Sequence, residues 1–196
     1  MAEYEFIDPR SIPFVEPRSR GELPHLFKEG CTYFLTYRLW DAVIPSTQKQ
    51  LSAKLSTTEI AAFAEPPIQL GSCVLMRPEI AGIVQENLLH FKGSKYHLLA
   101  WCIMPNHVHA VIAPTNEFTL SAITHSWKSY TAHRIQSILN RVDPIWERES
   151  FDHLIRDADD LAIFIHYVEE NPVVAGLCAN SHDWQWSSAF VKKNTT

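Results

Sequence analysis

The sequence predicts an α+β fold in which helices pack on one antiparallel sheet. Segments rich in aromatic and β-branched residues alternate with longer segments whose apolar residues recur at helical spacing. Two of the strand-like segments are separated by only two residues, which indicates an antiparallel hairpin. The chain has 196 residues, of which 46% are hydrophobic, and this length is enough to bury the core of a single domain.

The first third of the chain contains an irregular arm, a strand and a polar connection. Residues 1–30 are rich in Pro and Arg and show no periodicity, so we expect an irregular N-terminal arm over the surface. The segment Thr32–Trp40 is dense in aromatic and β-favouring residues, which predicts a strand. A polar stretch with helical tendency follows and ends at Pro66-Pro67.

The rest of the chain alternates between helices and strands. Residues 72–91 have helical periodicity, with Pro78 near the first turn, where proline is tolerated. A strand over Tyr96–Met104, a turn at Pro105-Asn106 and a strand over His107–Ala113 form the hairpin. They are followed by a Thr119-capped helix to about Leu139, a strand over Phe151–Arg156 and a helix that Asp159 or Asp160 caps and that runs to Glu170. This order predicts a ferredoxin-like or RRM-like antiparallel sheet with helices on one face and an appended C-terminal helix.

Composition restricts the class of protein. The four cysteines are scattered without a C-x-x-C pair, which is typical of reduced thiols in a cytosolic protein. The N-terminus lacks the apolar run of a secretory signal, and no stretch approaches the roughly 20 apolar residues of a membrane span. We therefore expect a cytoplasmic protein with no membrane partner.

Charge is distributed unevenly along the chain. The net charge of −5 argues against strong non-specific binding to nucleic acid. Residues 88–141 nevertheless carry five basic residues against Glu117 alone, whereas residues 143–170 carry nine acidic residues against two basic ones. The first region could therefore attract phosphates while the whole chain stays acidic.

Two histidines in the hairpin form the first candidate site. Residues i and i+2 of a strand point to the same face, so His107 and His109 project together while Val108 enters the opposite side. Their spacing allows both imidazoles to meet one metal ion. The alternative interpretation is a pair of partly exposed strand histidines without a ligand.

The last helix offers two further candidates. Tyr167 and Asn171 are four residues apart, so a helix that continues through that turn places both side chains on one face. A phenolate can act as a nucleophile, and an amide oxygen can bind a divalent cation. Spacing alone favours the simpler reading, in which Tyr167 packs on the core and Asn171 caps the helix.

Four blocks of sequence, taken in order, resemble a known family. They are Met104-Pro-Asn-His-Val-His-Ala-Val-Ile112, Ile145-Trp-Glu-Arg-Glu-Ser-Phe-Asp-His-Leu-Ile-Arg-Asp157, Tyr167-Val-Glu-Glu-Asn-Pro-Val-Val-Ala-Gly-Leu177 and Asp183-Trp-Gln-Trp-Ser-Ser188. Together they resemble the single-tyrosine HUH (IS200-like) transposases, and most closely the REP-associated tyrosine transposase branch. The resemblance implies one catalytic domain over residues 31–190. Residues 41–72 depart from the family pattern, because this connection is longer than the compact members need, and we expect an insertion there.

The resemblance also implies an activity and a site. It implies a metal-dependent enzyme that cleaves and rejoins single-stranded DNA through a 5′-phosphotyrosine intermediate, at hairpin-forming, REP-like repeats. Tyr167 would be the nucleophile, and His107, His109 and Asn171 would ligate Mg²⁺ or Mn²⁺. Two imidazoles taken alone would have indicated zinc. Single-stranded or hairpin DNA is the implied partner, and a second copy of the chain is a further candidate.

Tyr130 is the rival nucleophile, because Lys128 and His133 could lower the pKa of its phenol or hold a phosphate. Against it, the residue four positions on is Arg134, which is not a metal ligand, so Tyr167 is preferred. Lys128, Arg134 and Tyr130 are retained as candidate DNA contacts, with a solvated helix face as the alternative.

His153 and Arg156 are also candidate DNA contacts, although Arg156 could instead pair with Asp152 or Asp157. Two other functions stay open on the sequence. One is a catalytically inactive, domesticated DNA-binding protein of the same fold. The other is an unrelated metal hydrolase with an H-x-H motif, although 196 residues are few for the barrel that such enzymes use.

Overall fold

A four-stranded antiparallel sheet lies at the centre of the computed structural model, which describes residues 4–12, 30–42, 71–115 and 117–193. The strands are β1 (Tyr33–Arg38), β2 (Tyr96–Ile103), β3 (His107–Pro114) and β4 (Phe151–Leu154). The helices are α1 (Pro78–His90), α2 (Leu120–Leu139), α3 (Ala158–Val174) and α4 (Ser188–Lys193), with 3-10 turns at Pro9–Ser11, Val74–Met76 and Ser181–Asp183. The strand order β2-β3-β1-β4 confirms the predicted ferredoxin-like arrangement.

The two faces of the sheet have separate cores. Alternate residues of β1 show this, since Tyr37 packs in the core with α1 and α2, whereas Phe34 packs in the core with α3. Phe34 stacks on Phe164 of α3 with ring centroids 4.6 Å apart. The first two helices therefore cover one face, and the appended helix α3 covers the other.

Helix α3 departs from the prediction at both ends. Its N-cap is Asp157, whose side chain accepts from the backbone N–H of Asp160, so the predicted caps Asp159 and Asp160 are wrong. The helix also runs past Glu170 and includes Pro172. A proline this close to a C-terminus removes only one hydrogen bond, and the turn persists because the backbone N–H groups that follow it bond to the carbonyls of Asn171 and Pro172.

The predicted arm and insertion are only partly described. Residues 4–12 are irregular apart from one 3-10 turn, and the hydroxyls of Tyr4 and Thr32 are hydrogen-bonded at 2.9 Å. Residues 43–70, most of the predicted insertion, lie outside the described residues, so the domain boundaries stay predictions. No helix in the described part of the chain is long and apolar enough to cross a membrane.

The chain re-enters the fold beside the point at which the connection leaves β1. The backbone N–H of Ser72 donates to the carboxylate of Asp41 at 2.9 Å. Gly71 has a φ of +93°, and a Cβ at this position would lie 2.8 Å from the carbonyl oxygen of Asp41. This close approach requires glycine.

Replacing Gly71 with alanine should therefore lower the free energy of unfolding, by about 1–3 kcal/mol, since both the φ angle and the contact become strained. The matched control is Gly82→Ala in α1, where a Cβ meets nothing within 4 Å. That change should raise the free energy of unfolding by about 0.5–1 kcal/mol. Urea unfolding of the two variants tests both signs, and an unaffected Gly71→Ala variant would contradict the close approach.

Candidate active site

Strand β3 buries the two candidate histidines in the interior of the sheet. It lies between β1 and β2, and both His107 and His109 are 0% exposed. The alternative of partly exposed histidines is therefore wrong. Val108 packs in the core on the opposite face, as alternation along a strand requires.

Each imidazole is held by a different polar side chain. The Nδ1 atom of His107 lies 2.8 Å from Oδ1 of Asn106, and Nδ1 of His109 lies 2.7 Å from Oγ1 of Thr36. An amide oxygen only accepts, so Nδ1–H of His107 is the donor and its Nε2 keeps a lone pair. The hydroxyl of Thr36 can donate or accept, so it supports either tautomer of His109.

The two Nε2 atoms of His107 and His109 point at each other across 2.9 Å. Burial lowers the pKa of His109 to about 3 and holds the pKa of His107 well below its usual value, with the charges of His109 and Arg38 adding to the effect on His107. Both rings are thus neutral at neutral pH. Neutral imidazole is the form that binds metal ions.

Tyr167 of α3 lies against this pair. Its ring meets the ring of His109 edge-on, with centroids 5.5 Å apart, and it also contacts Phe34 at 5.8 Å. Asn171 follows one helical turn later and is 1% exposed. Neither polar atom of its amide has a hydrogen-bond partner among the described residues. The structure therefore brings Tyr167 next to His109 and buries an unsatisfied amide one turn further along the same helix.

No cluster of three or more His, Cys, Asp or Glu residues that could hold a metal ion occurs in the described ranges. The candidate donors here are two imidazoles and one amide, and an amide is not among those residue types. The donor set predicted from the sequence is thus compatible with this finding, and metal binding itself stays a prediction.

The segment after α3 ties this helix to strand β2 of the same chain. The hydroxyl of Ser188 donates to the carboxylate of Glu169 at 2.9 Å and accepts from the backbone N–H of Trp101. The hydroxyl of Ser181 donates to Glu170 at 2.8 Å. These bonds hold the helix that carries Tyr167 against the sheet that carries both histidines.

The other predicted DNA contacts lie in different surroundings. The ammonium of Lys128 donates to the carbonyls of Arg148 and Glu149, and burial lowers the pKa of Lys128 to about 8. Tyr130 is 47% exposed and accepts from the guanidinium of Arg134 at 3.1 Å. All three residues belong to α2, which packs on the face opposite the histidines. Their roles in DNA binding stay predictions.

His153 and Arg156 face a buried carboxylate. The guanidinium of Arg156 donates to Asp160 at 3.0 Å, a partner that the sequence interpretation did not include. The Nε2 atom of His153 lies 3.6 Å from the same carboxylate. Burial lowers the pKa of His153, against the opposing effect of Asp160. A structural role is visible for both residues, and DNA contact stays a prediction.

Sequence reasoning missed Thr36, Asn106 and Ser188. Thr36 faces His109 only because β1 and β3 pair in one particular register, and Ser188 reaches Glu169 only because the C-terminal segment folds back on β2. Asn106 was detectable as the residue just before the H-x-H motif, where its side chain can meet the first imidazole.

Acid should destabilise the fold through the buried histidines. Above the ordinary histidine pKa of about 6.5, the rings are neutral in both the folded and the unfolded states and contribute no pH dependence. As the pH falls below that value, the unfolded chain takes up protons that the folded chain excludes. The free energy of unfolding should then fall by up to about 1.4 kcal/mol per pH unit for each histidine, measured by urea unfolding.

The controls for this pH dependence are substitutions at buried and exposed histidines. The double variant His107→Asn/His109→Gln should show a flatter pH profile, whereas His90→Gln, at an exposed position, should retain the original slope. An unchanged slope in the double variant would assign the acid sensitivity to other groups.

Comparisons with known proteins show which family the central part of the chain resembles. Residues 76–171 match the model of the family described as transposase IS200 like, a range that includes the histidine pair, Tyr167 and Asn171. A Haemophilus influenzae protein named as a REP-associated tyrosine transposase is 29% identical over 103 residues, covering 47% of this chain and 58% of the relative. The REP-associated tyrosine transposase of Escherichia coli K12 is 24% identical over 98 residues, covering 50% of this chain and 56% of the relative.

The chain thus spans somewhat more than half the length of these relatives. A solved REP-associated tyrosine transposase, bound to a REP hairpin, superposes with a TM-score of 0.63 at 16% identity, covering 89% of this chain and 86% of that one. At this identity the likeness shows the fold. Residues 76–171 therefore resemble the IS200-like transposases, and the chain has the fold of a solved REP-associated tyrosine transposase.

Proposed function

We propose that this chain cleaves and rejoins single-stranded DNA, as a transposase or endonuclease, with Tyr167 as the nucleophile. The observation that carries the proposal is the contact between Tyr167 and His109 within an IS200-like domain. Tyr167 is only partly buried, unlike the two histidines. The two predicted halves of the site, from β3 and from α3, adjoin in one chain.

The proposed chemistry is a transesterification. The hydroxyl oxygen of Tyr167 attacks the phosphorus of a phosphodiester, and its proton passes to solvent. The bond from phosphorus to the 3′ oxygen breaks, and that oxygen leaves as a 3′-hydroxyl after gaining a proton. The product is a 5′-phosphotyrosine diester, so the bond energy is retained and another 3′-hydroxyl can reverse the reaction at a new strand.

We further propose that His107, His109 and Asn171 hold a divalent cation. The 2.9 Å between the Nε2 atoms is close to the roughly 3 Å that separates adjacent ligands of an octahedral ion. The unsatisfied amide of Asn171 supplies an oxygen donor. Two imidazoles favour zinc, but an oxygen ligand and the family favour Mg²⁺ or Mn²⁺. Such an ion, when bound, would stabilise negative charge on the phosphate oxygens.

The proposed substrate is a hairpin-forming repeat with an unpaired flank. The solved protein with this fold was bound to a REP hairpin, which supports a structured DNA ligand of the same class here. The net charge of −5 supports selective rather than general affinity for DNA. Homodimer formation and a cytoplasmic location stay predictions.

A covalent adduct is the decisive test. Protein, Mn²⁺ and a labelled hairpin oligonucleotide with a single-stranded flank should give a protein–DNA band that survives denaturation. The change Tyr167→Phe should abolish the band, since the attacking oxygen is removed. The matched control Tyr130→Phe should retain it. An adduct that persists in Tyr167→Phe would overturn the assignment, and tight binding without any adduct would favour the inactive DNA-binding protein.

The substitution Asn171→Leu tests whether this amide binds a metal ion or stabilises the fold. Leucine has a similar shape without the amide, so a buried unsatisfied group disappears and the free energy of unfolding should rise, by about 1–3 kcal/mol. Mn²⁺ affinity, measured by calorimetry, should fall at least about tenfold. A variant that loses stability and keeps its Mn²⁺ affinity would show that Asn171 has a structural role instead.

A further inference from the structure

The end of strand β1 places a cation beside the candidate active site. Arg38 pairs directly with His107 across the β1–β3 ladder, so the two side chains lie on the same face. The guanidinium of Arg38 forms an ion pair with the carboxylate of Glu147, and both side chains are largely buried, at 18% and 24% exposure. This arginine lies next to the histidines, whereas the predicted basic contacts on α2 lie on the other face.

The backbone just beyond Arg38 is held firmly and presents an aromatic ring. The N–H of Leu39 donates to the carbonyl of Asn106 at 2.8 Å, and the N–H of Trp40 donates to the carbonyl of Ile145 at 2.9 Å. Asn106 also orients His107, so one residue fixes both the end of β1 and the first imidazole. The side chain of Trp40 is nevertheless 59% exposed, which is unusual for an indole.

We infer that Arg38 and Trp40 form a binding strip for the unpaired nucleotides next to the phosphate that Tyr167 attacks. The inference rests on the proposed function and adds two residues to it. Arg38 would bind a phosphate through its guanidinium fork, and Trp40 would stack on a neighbouring base. The two residues are two positions apart, with Arg38 at the end of β1 and Trp40 in the turn that follows it.

Glu147 has a definite part in this strip. Its carboxylate neutralises Arg38, and its backbone N–H donates to the carbonyl of Arg38 at 2.9 Å. A DNA phosphate approaching Arg38 competes with this carboxylate and is repelled by it. Glu147 thus lowers the affinity of Arg38 for phosphate in general. Binding of a DNA strand then also requires a base to stack on Trp40.

The first test measures equilibrium binding of a labelled single-stranded oligonucleotide, by fluorescence anisotropy, in a Tyr167→Phe background that cannot react. Arg38→Gln should weaken binding and lower the slope of log affinity against log salt concentration by about 0.7, the value for one phosphate contact on a single strand. Glu147→Gln should tighten binding. The matched control Lys92→Gln, an exposed cation before β2, should change neither quantity.

Opposite effects of Arg38→Gln and Glu147→Gln separate a phosphate ligand from a purely structural ion pair. If the pair only supports the fold, both variants should weaken binding alike and lower the thermal midpoint alike, which would overturn the inference. The double variant Arg38→Gln/Glu147→Gln also removes the carboxylate that repels the phosphate, so it should bind more tightly than Arg38→Gln but less tightly than Glu147→Gln.

The second test concerns the indole. Trp40→Leu keeps an apolar side chain but removes the aromatic face, so binding should weaken about 5- to 100-fold. Trp40→Phe keeps the aromatic face and should stay within about threefold of the starting protein. Equal losses in the two variants would exclude stacking.

The outcomes also separate this inference from the proposed function. If the parent protein forms no adduct with DNA but the binding pattern holds, the strip stands and the proposed reaction fails. A second outcome is that the protein with Tyr167 forms an adduct, while its Arg38→Gln variant reacts and binds in the same way as its Lys92→Gln variant. In that case the proposed reaction stands and the binding strip is overturned. A parent protein that binds no single-stranded DNA would overturn the strip as well.

Discussion

The pairing of β1 with β3 is the constraint on which the site depends. The buried contact between Thr36 and His109, at 2.7 Å, is made only in the observed register. A slip of one residue would turn both histidines into the core beneath α1 and α2 and bring Val108 to the face of α3. The same register places Tyr37 and Val108 in the core on the opposite face. Burial of these apolar residues on one face therefore fixes the position of His109 opposite Thr36 on the other face.

Much of the fold could be predicted because its signals are local. The Thr119 cap, the Pro105-Asn106 turn and the alternation of His107 and His109 each depend on a few neighbouring residues, and the structure has all three. The end of α3 depends on distant contacts instead. The local sequence pattern ends the helix before Pro172. In the structure, Ser188 links Glu169 to β2, and Ser181 of the following 3-10 turn donates to Glu170.

In the candidate site, too, some features follow from local sequence and others only from tertiary packing. Tyr167 and Asn171 could be placed on one face by helical spacing, but the position of Tyr167 against His109 depends on the packing of α3 on the sheet, where Phe164 stacks on Phe34. Arg38 gave no sequence signal, because its neighbour His107 is 69 residues away along the chain and meets it only through strand pairing. Lys128 is the opposite case. The sequence predicted it as a phosphate contact, but in the structure its ammonium donates to backbone carbonyls of the same chain.

The buried polar groups on the α3 face differ in how fully their hydrogen bonds are satisfied. The imidazoles of His107 and His109 satisfy each other and two neighbouring side chains, so their burial costs little beyond the exclusion of protons. Asn171 is different, because an amide without partners in the described structure costs about 1–3 kcal/mol when buried. The aromatic stacking on this face offsets that cost. A ligand that bonds to this amide would recover that free energy, which is the physical basis of the role proposed for Asn171.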